Sequence, residues 1–96
     1  MRIELIGFCG CPGVPVLRDR LAGATRSLGL GFAELDVRRL HASDARRAWP
    51  SPTVLVNGAD LFGLVPPRSA SPVCRVYPGG IPGEDELRIH LLRAAV

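Results

Sequence analysis

Residues 2–13 read Arg2-Ile3-Glu4-Leu5-Ile6-Gly7-Phe8-Cys9-Gly10-Cys11-Pro12-Gly13, and the fold turns on this stretch. An apolar run with short alternation over residues 2–8 gives way at once to cysteine, glycine and proline, the pattern of a strand ending in a turn. The pattern then changes. From Pro15 onward, Leu17, Leu21, Ala24 and Leu28 follow one another at spacings of four, three and four, which is one face of a helix. Pro15 suits the first helical turn, where its missing N–H costs nothing, and Gly29 and Gly31 supply the stop. Cys11 therefore belongs at a strand–helix junction.

Outward from this unit, residues 32–37 (FAELDV) read as a second strand, and Ser43-Asp44 caps a short helix through Ala48 that Trp49-Pro50 ends. Residues 53–56 (TVLV) are the most β-prone run, and Asn57-Gly58 is a turn signal. Residues 59–72, rich in Pro, Ser and Gly, read as a loop that would be free to mediate association. Residues 73–77 (VCRVY) read as a fourth strand. A last helix spans residues 84–95, with Glu84, Asp85 and Glu86 at the positive end of its dipole and Leu87, Leu91 and Ala94 inward. The first strand–helix–strand unit makes two parallel strands with a right-handed crossover. The expected fold class is α/β: one domain over residues 1–96, a four-stranded mixed sheet with helices on both faces.

Composition narrows the function classes. With 96 residues, 47% of them hydrophobic and 22% charged, the chain can bury roughly two-thirds of its unfolded surface. Charges, Gly and Pro interrupt every apolar stretch before it reaches the length of a membrane span, so no membrane partner is expected. The start Met1-Arg2-Ile3-Glu4 places an acid where a signal peptide is apolar, which points to a cytoplasmic protein. All 12 basic residues are arginine, scattered from Arg2 to Arg93, and with a net charge of +3 and few aromatics no nucleic-acid partner is expected. Three cysteines, Cys9, Cys11 and Cys74, are an odd number and argue against a disulfide framework.

The order of elements and two motifs resemble the thioredoxin and glutaredoxin superfamily. Cys11-Pro12-Gly13-Val14 looks like that family's CPxC site with valine in place of the second cysteine, and Ser51-Pro52-Thr53-Val54-Leu55-Val56-Asn57-Gly58 looks like its cis-proline segment. The resemblance implies a thioredoxin-like βαβαββα fold, with Pro12, Ser51, Pro52 and Thr53 lining the groove where a substrate's extended chain docks opposite Cys11. Together with Asn57-Gly58-Ala59-Asp60-Leu61-Phe62 and Cys74-Arg75-Val76-Tyr77, these segments also resemble small bacterial thioredoxin-like proteins often labelled alkylmercury lyase-like. In that pattern Cys11 and Cys74 match the recurring cysteines and Cys9 is an addition. The acid of a true organomercurial lyase matches no position here.

The expected chemistry centres on Cys11, whose thiolate a helix N-terminus stabilises, lowering its pKa below the free value of about 8.5. With Val14 at the second position, three routes resolve a mixed disulfide: an external thiol such as glutathione, Cys9 or Cys74. Cys9 is alternatively a small core residue at the strand end, and Cys74 a buried strand thiol on the face of Val76, opposite Arg75. A disulfide between Cys9 and Cys11 would span at most about 7 Å, at the upper edge for such bonds. The reading is thus a thiol-dependent redox protein acting on a thiol or disulfide, such as a protein. The alternatives are soft-metal or organomercurial binding through Cys11 and Cys74, and a non-catalytic binding module. Cys-x-Cys plus a distant cysteine is not a strong zinc spacing, and His41 and His90 offer at most one further ligand each, so no metal ligands are assigned. His41 reads as loop, His90 as surface or boundary, and Trp49 and Tyr77 as core or site lining. The Arg38-Arg39 and Arg46-Arg47 pairs read as solvated faces able to hold an anionic thiol.

Overall fold

The computed structural model describes residues 1–65 and 73–95. They run β1 (Ile3–Gly7), α1 (Gly13–Ser27), β2 (Ala33–Asp36), 3₁₀ turns at Val37–Arg39 and Ala45–Ala48, β3 (Thr53–Val56), β4 (Ala59–Asp60) and α2 (Glu84–Ala94). The strands form one open mixed sheet in the order β2-β1-β3-β4. β1 pairs parallel with β2 and antiparallel with β3, and β3 pairs antiparallel with β4. The chain is therefore an α/β protein with a four-stranded mixed sheet, as the alternation of strand and helix patterns implied.

Strand alternation sorts β1 between two cores. Ile3 and Leu5 face one side and join Leu17, Leu21 and Ala24 of α1, Val54 and Val56 of β3, and Leu87 and Leu91 of α2. Ile6 faces the other side and joins Val37, Trp49 and Leu55, with Phe8 and Leu35 packed alongside. Each such aliphatic side chain contributes about 1.5–3 kcal/mol by leaving water. Both α-helices thus lie on one face. The expectation of helices on both faces is corrected: the opposite face is covered by the 3₁₀ turns, because the segment after β2 holds too few periodic apolar residues for a longer helix. Asp44 still caps the second turn, accepting from the Arg46 N–H at 2.9 Å.

Helix α1 ends as its glycine implied. Gly29 has φ +70°, the Leu30 N–H reaches back to the Thr25 carbonyl at 2.8 Å, and the Gly29 N–H reaches that of Arg26 at 3.2 Å. That double bond pattern is a Schellman closure. At the other end, a Cβ on Gly7 would sit 2.6 Å from Val14 Cγ2. Only glycine lets the start of α1 pack this closely on the end of β1.

The fourth strand is corrected too. It is Ala59–Asp60, returning directly from the Asn57-Gly58 turn, whose two residues have φ of 50° and 87°. Positive φ at both positions gives the two-residue hairpin turn that matches strand twist. Residues 73–77 do not join the sheet as a strand. They contribute one isolated parallel bridge, Cys74 to Ser51. Of the expected loop over residues 59–72, residues 66–72 lie outside the described residues, as does the association expected of them. Among the described residues, no helix is long and apolar enough to cross a membrane.

Candidate functional site

Cys11 lies between β1 and α1, in the turn closed by its own N–H on the Phe8 carbonyl at 3.2 Å. It is buried, and its Sγ–H donates weakly to the Ser51 carbonyl at 3.7 Å. No side chain caps α1, whose N-cap is the exposed Pro12; in its first turn the Val14 N–H donates to the Cys11 carbonyl at 3.2 Å and Pro15 has no N–H to place. Val14, where the resemblance would put a second cysteine, is buried over Gly7.

Ser51, Pro52 and Thr53 lead into β3 and are all buried. The Ser51–Pro52 peptide is cis, as the resemblance implied, and a Cβ on Gly13 would stand 3.1 Å from Pro52 Cδ. The expected open groove is occupied by the chain itself. The Ser51 N–H donates to the Val73 carbonyl at 2.8 Å and the Arg75 N–H donates to the Ser51 carbonyl at 2.6 Å. The Tyr77 hydroxyl donates to the Pro52 carbonyl at 2.6 Å. Residues 73–75 are thus laid along Ser51 in parallel β fashion, with Cys74 at the bridge. The Ser51 Oγ is buried without a hydrogen-bond partner among the described residues.

This placement brings Cys74 to Cys11 and corrects its expected burial: Cys74 is exposed, and so is Val76 beyond it. Partial desolvation first, and then the neighbouring Cys11 thiol, push the Cys74 thiol above its ordinary range. Both are free thiols in this structure. Cys9 is set apart. It too is a free thiol, exposed rather than a core residue at the strand end, with its N–H on Asp36 at 3.4 Å and its carbonyl accepting from Arg38 at 2.9 Å. A cleft of about 480 Å³ lies on the Cys9 side, lined by Phe8, Arg18, Leu35, Asp36 and Arg39 among others.

Two groups at the site escaped the sequence reading. Asp60 of β4 is fully buried in its side chain and pairs with Arg75 at 2.7 Å. Arg75 also donates to Thr53 Oγ1 at 3.3 Å and lies over the Tyr77 ring at 4.2 Å. The available signal was Asp60 two residues past the Asn57-Gly58 turn and Arg75 beside Cys74. Neither spacing marks an ion pair between them. Tyr77 is core and site lining at once, and desolvation first, with the Asp60 charge adding and Arg75 opposing, pushes its hydroxyl up to about 12.

Tyr77 is the chain's single tyrosine, so tyrosinate absorbance reports it alone. The expected midpoint is about 12, against about 10 for a free tyrosine. Because the folded state holds the neutral phenol, this contribution to stability is complete below about pH 10 and is lost as pH rises toward about 12. A midpoint near about 10 would mean that Tyr77 is not seated on Pro52 in solution.

The remaining sites are peripheral. His41 is an exposed loop residue bonded to Ser43 at 2.7 Å, and His90 is half-buried against Phe62 with ring centroids 4.5 Å apart. Trp49 is buried in the core on the face away from the α-helices. Among the described residues, no three His, Cys, Asp or Glu side chains gather as a metal cage. The chain matches no protein-family model, no curated protein and no solved structure.

Proposed function

We propose that the protein is a thiol–disulfide redox protein of thioredoxin-like architecture, with Cys11 as nucleophile and Cys74 as the resolving thiol. One observation carries this reading: the backbone of Ser51 holds both cysteines, accepting from Cys11 Sγ on its carbonyl and pairing with residues 73–75 on the same side. The strand–helix junction at Cys11 and Pro52 against Gly13 support the thioredoxin-like assignment. Cytoplasmic residence, where thiols stay reduced, suits three unpaired cysteines.

The chemistry balances as two thiol–disulfide exchanges. The Cys11 thiolate attacks one sulfur of a client disulfide, forming a mixed disulfide and releasing the first client thiolate. Cys74 then gives up its proton, and its sulfur attacks that of Cys11. The second client thiol leaves and a Cys11–Cys74 disulfide remains. The client gains two electrons and the protein loses two; two molecules of an external thiol such as glutathione return them by two further exchanges, leaving as their own disulfide. With the Cys74 thiol held high, the second exchange gains speed as pH rises past the ordinary thiol range.

A substitution separates the steps. Cys74→Ser is expected to stall as a stable mixed disulfide on Cys11 after mixing with a glutathionylated peptide, while wild type clears the adduct. Mass spectrometry of the intact protein distinguishes them, and equally fast clearance by both would remove Cys74 from the mechanism.

The same two thiols favour one other reading, a two-coordinate site for a soft ion such as Hg(II) or Cu(I). Retention of one Hg(II) per chain through desalting, lost on Cys74→Ser, would support it.

A further inference from the structure

Among the described residues, 73–75 lie along Ser51 through two backbone hydrogen bonds, and Val73 and Cys74 are exposed. Two backbone hydrogen bonds are a weak hold on a chain segment. What anchors it is the side chain that follows. Arg75 reaches inward, one-tenth exposed, and forks onto Asp60, with Nη1 to Oδ1 at 2.7 Å and Nη2 to Oδ2 at 3.2 Å. Asp60 is itself fixed: its Oδ2 accepts from the N–H groups of Phe62 and Leu64 at 3.1 and 2.9 Å. The face of Tyr77, which is bonded to Pro52, completes the seat. A bidentate guanidinium–carboxylate pair fixes orientation as well as distance.

We propose that Asp60 is a positioning residue: through its ion pair with Arg75 it holds residues 73–75 on Ser51 and so sets how strongly the Cys11–Cys74 disulfide forms. The inference rests on the redox reading above and adds what controls its equilibrium. Asp60 touches neither sulfur. Its effect is on the effective concentration of Cys74 at Cys11, which falls steeply when the tether loosens.

The test is equilibration of the full chain with reduced and oxidised glutathione, reading the fraction of Cys11–Cys74 disulfide by alkylation and mass spectrometry. Asp60→Asn keeps an oxygen for the Phe62 and Leu64 N–H groups but removes the charge that holds Arg75. It is expected to lower the equilibrium constant for disulfide formation at least about tenfold, equivalent to about 30 mV. Arg75→Lys keeps the charge but loses the fork, and an intermediate drop is expected; it also serves if Asp60→Asn fails to fold. The rate at which oxidised glutathione first modifies Cys11, measured in a Cys74→Ser background, is expected to stay within about twofold, which a general loss of structure would not allow. An unchanged equilibrium constant in folded Asp60→Asn or Arg75→Lys overturns the proposal. Absence of any Cys11–Cys74 disulfide in wild type instead overturns the redox reading beneath it.

Discussion

Cys11→Ser is expected to reduce turnover of insulin or of a glutathionylated peptide to the uncatalysed rate, with the fold intact. Serine keeps the size and the hydrogen bond to the Ser51 carbonyl, yet its oxygen is not a nucleophile toward disulfide sulfur at neutral pH, where attack needs a thiolate. Cys9→Ser is expected to retain turnover within about twofold, because Cys9 sits with Asp36 and Arg38 rather than with Ser51. The contrast matters more than either value. Equal turnover by wild type and Cys11→Ser would sink the redox reading, and a large loss on Cys9→Ser would move the chemistry to the cleft on the Cys9 side.

The second large effect is on stability. Glu4 sits in the central strand, buried, on the face without α-helices, and Arg46 bonds its Oε2 at 2.6 Å. Arg46 also holds Asp44 at 2.7 Å and pulls that carboxyl down to about 2. Arg46→Met removes the principal partner of a buried carboxylate, and Arg2, at 3.5 Å from Oε1, replaces little of it. Breaking a fully buried pair costs about 3–5 kcal/mol, and with Arg46 one-third exposed the expected loss is about 2–3 kcal/mol. Adding Glu4→Leu is expected to restore most of it, since the lone buried charge is then gone. Urea denaturation of the two variants checks this; a double mutant less stable than Arg46→Met would contradict the account.

These two sites show where the sequence was legible. Periodicity fixed α1 because Leu17, Leu21 and Ala24 all face one core, and a strand into Cys-Gly-Cys-Pro could only be a junction. Arg46-Arg47, by contrast, read as a solvated face because an ion pair to Glu4, 42 positions away, leaves no local pattern. The fourth strand was misplaced for a related reason. The residues of VCRVY are β-prone, but propensity measures fit to a half-buried pleated surface, and Val76 stays 88% exposed there. The actual strand is two residues without a β-branched side chain, held by a turn whose signal was present at Asn57-Gly58. At the site, Cys11, Ser51 and Pro52 were legible as motifs. Their closure by residues 73–77, with Tyr77 on Pro52 and Asp60 under Arg75, is tertiary and left no spacing to read.

The central claim is that Cys11 has Cys74, not Cys9, as its partner. The direct measurement is disulfide mapping of wild type after oxidation with oxidised glutathione, by proteolysis and mass spectrometry of the unreduced digest. The account predicts a peptide pair linking Cys11 to Cys74, with Cys9 free to alkylate or carrying glutathione. A Cys9–Cys11 disulfide, or Cys11 left with glutathione while Cys74 alkylates freely, would contradict it.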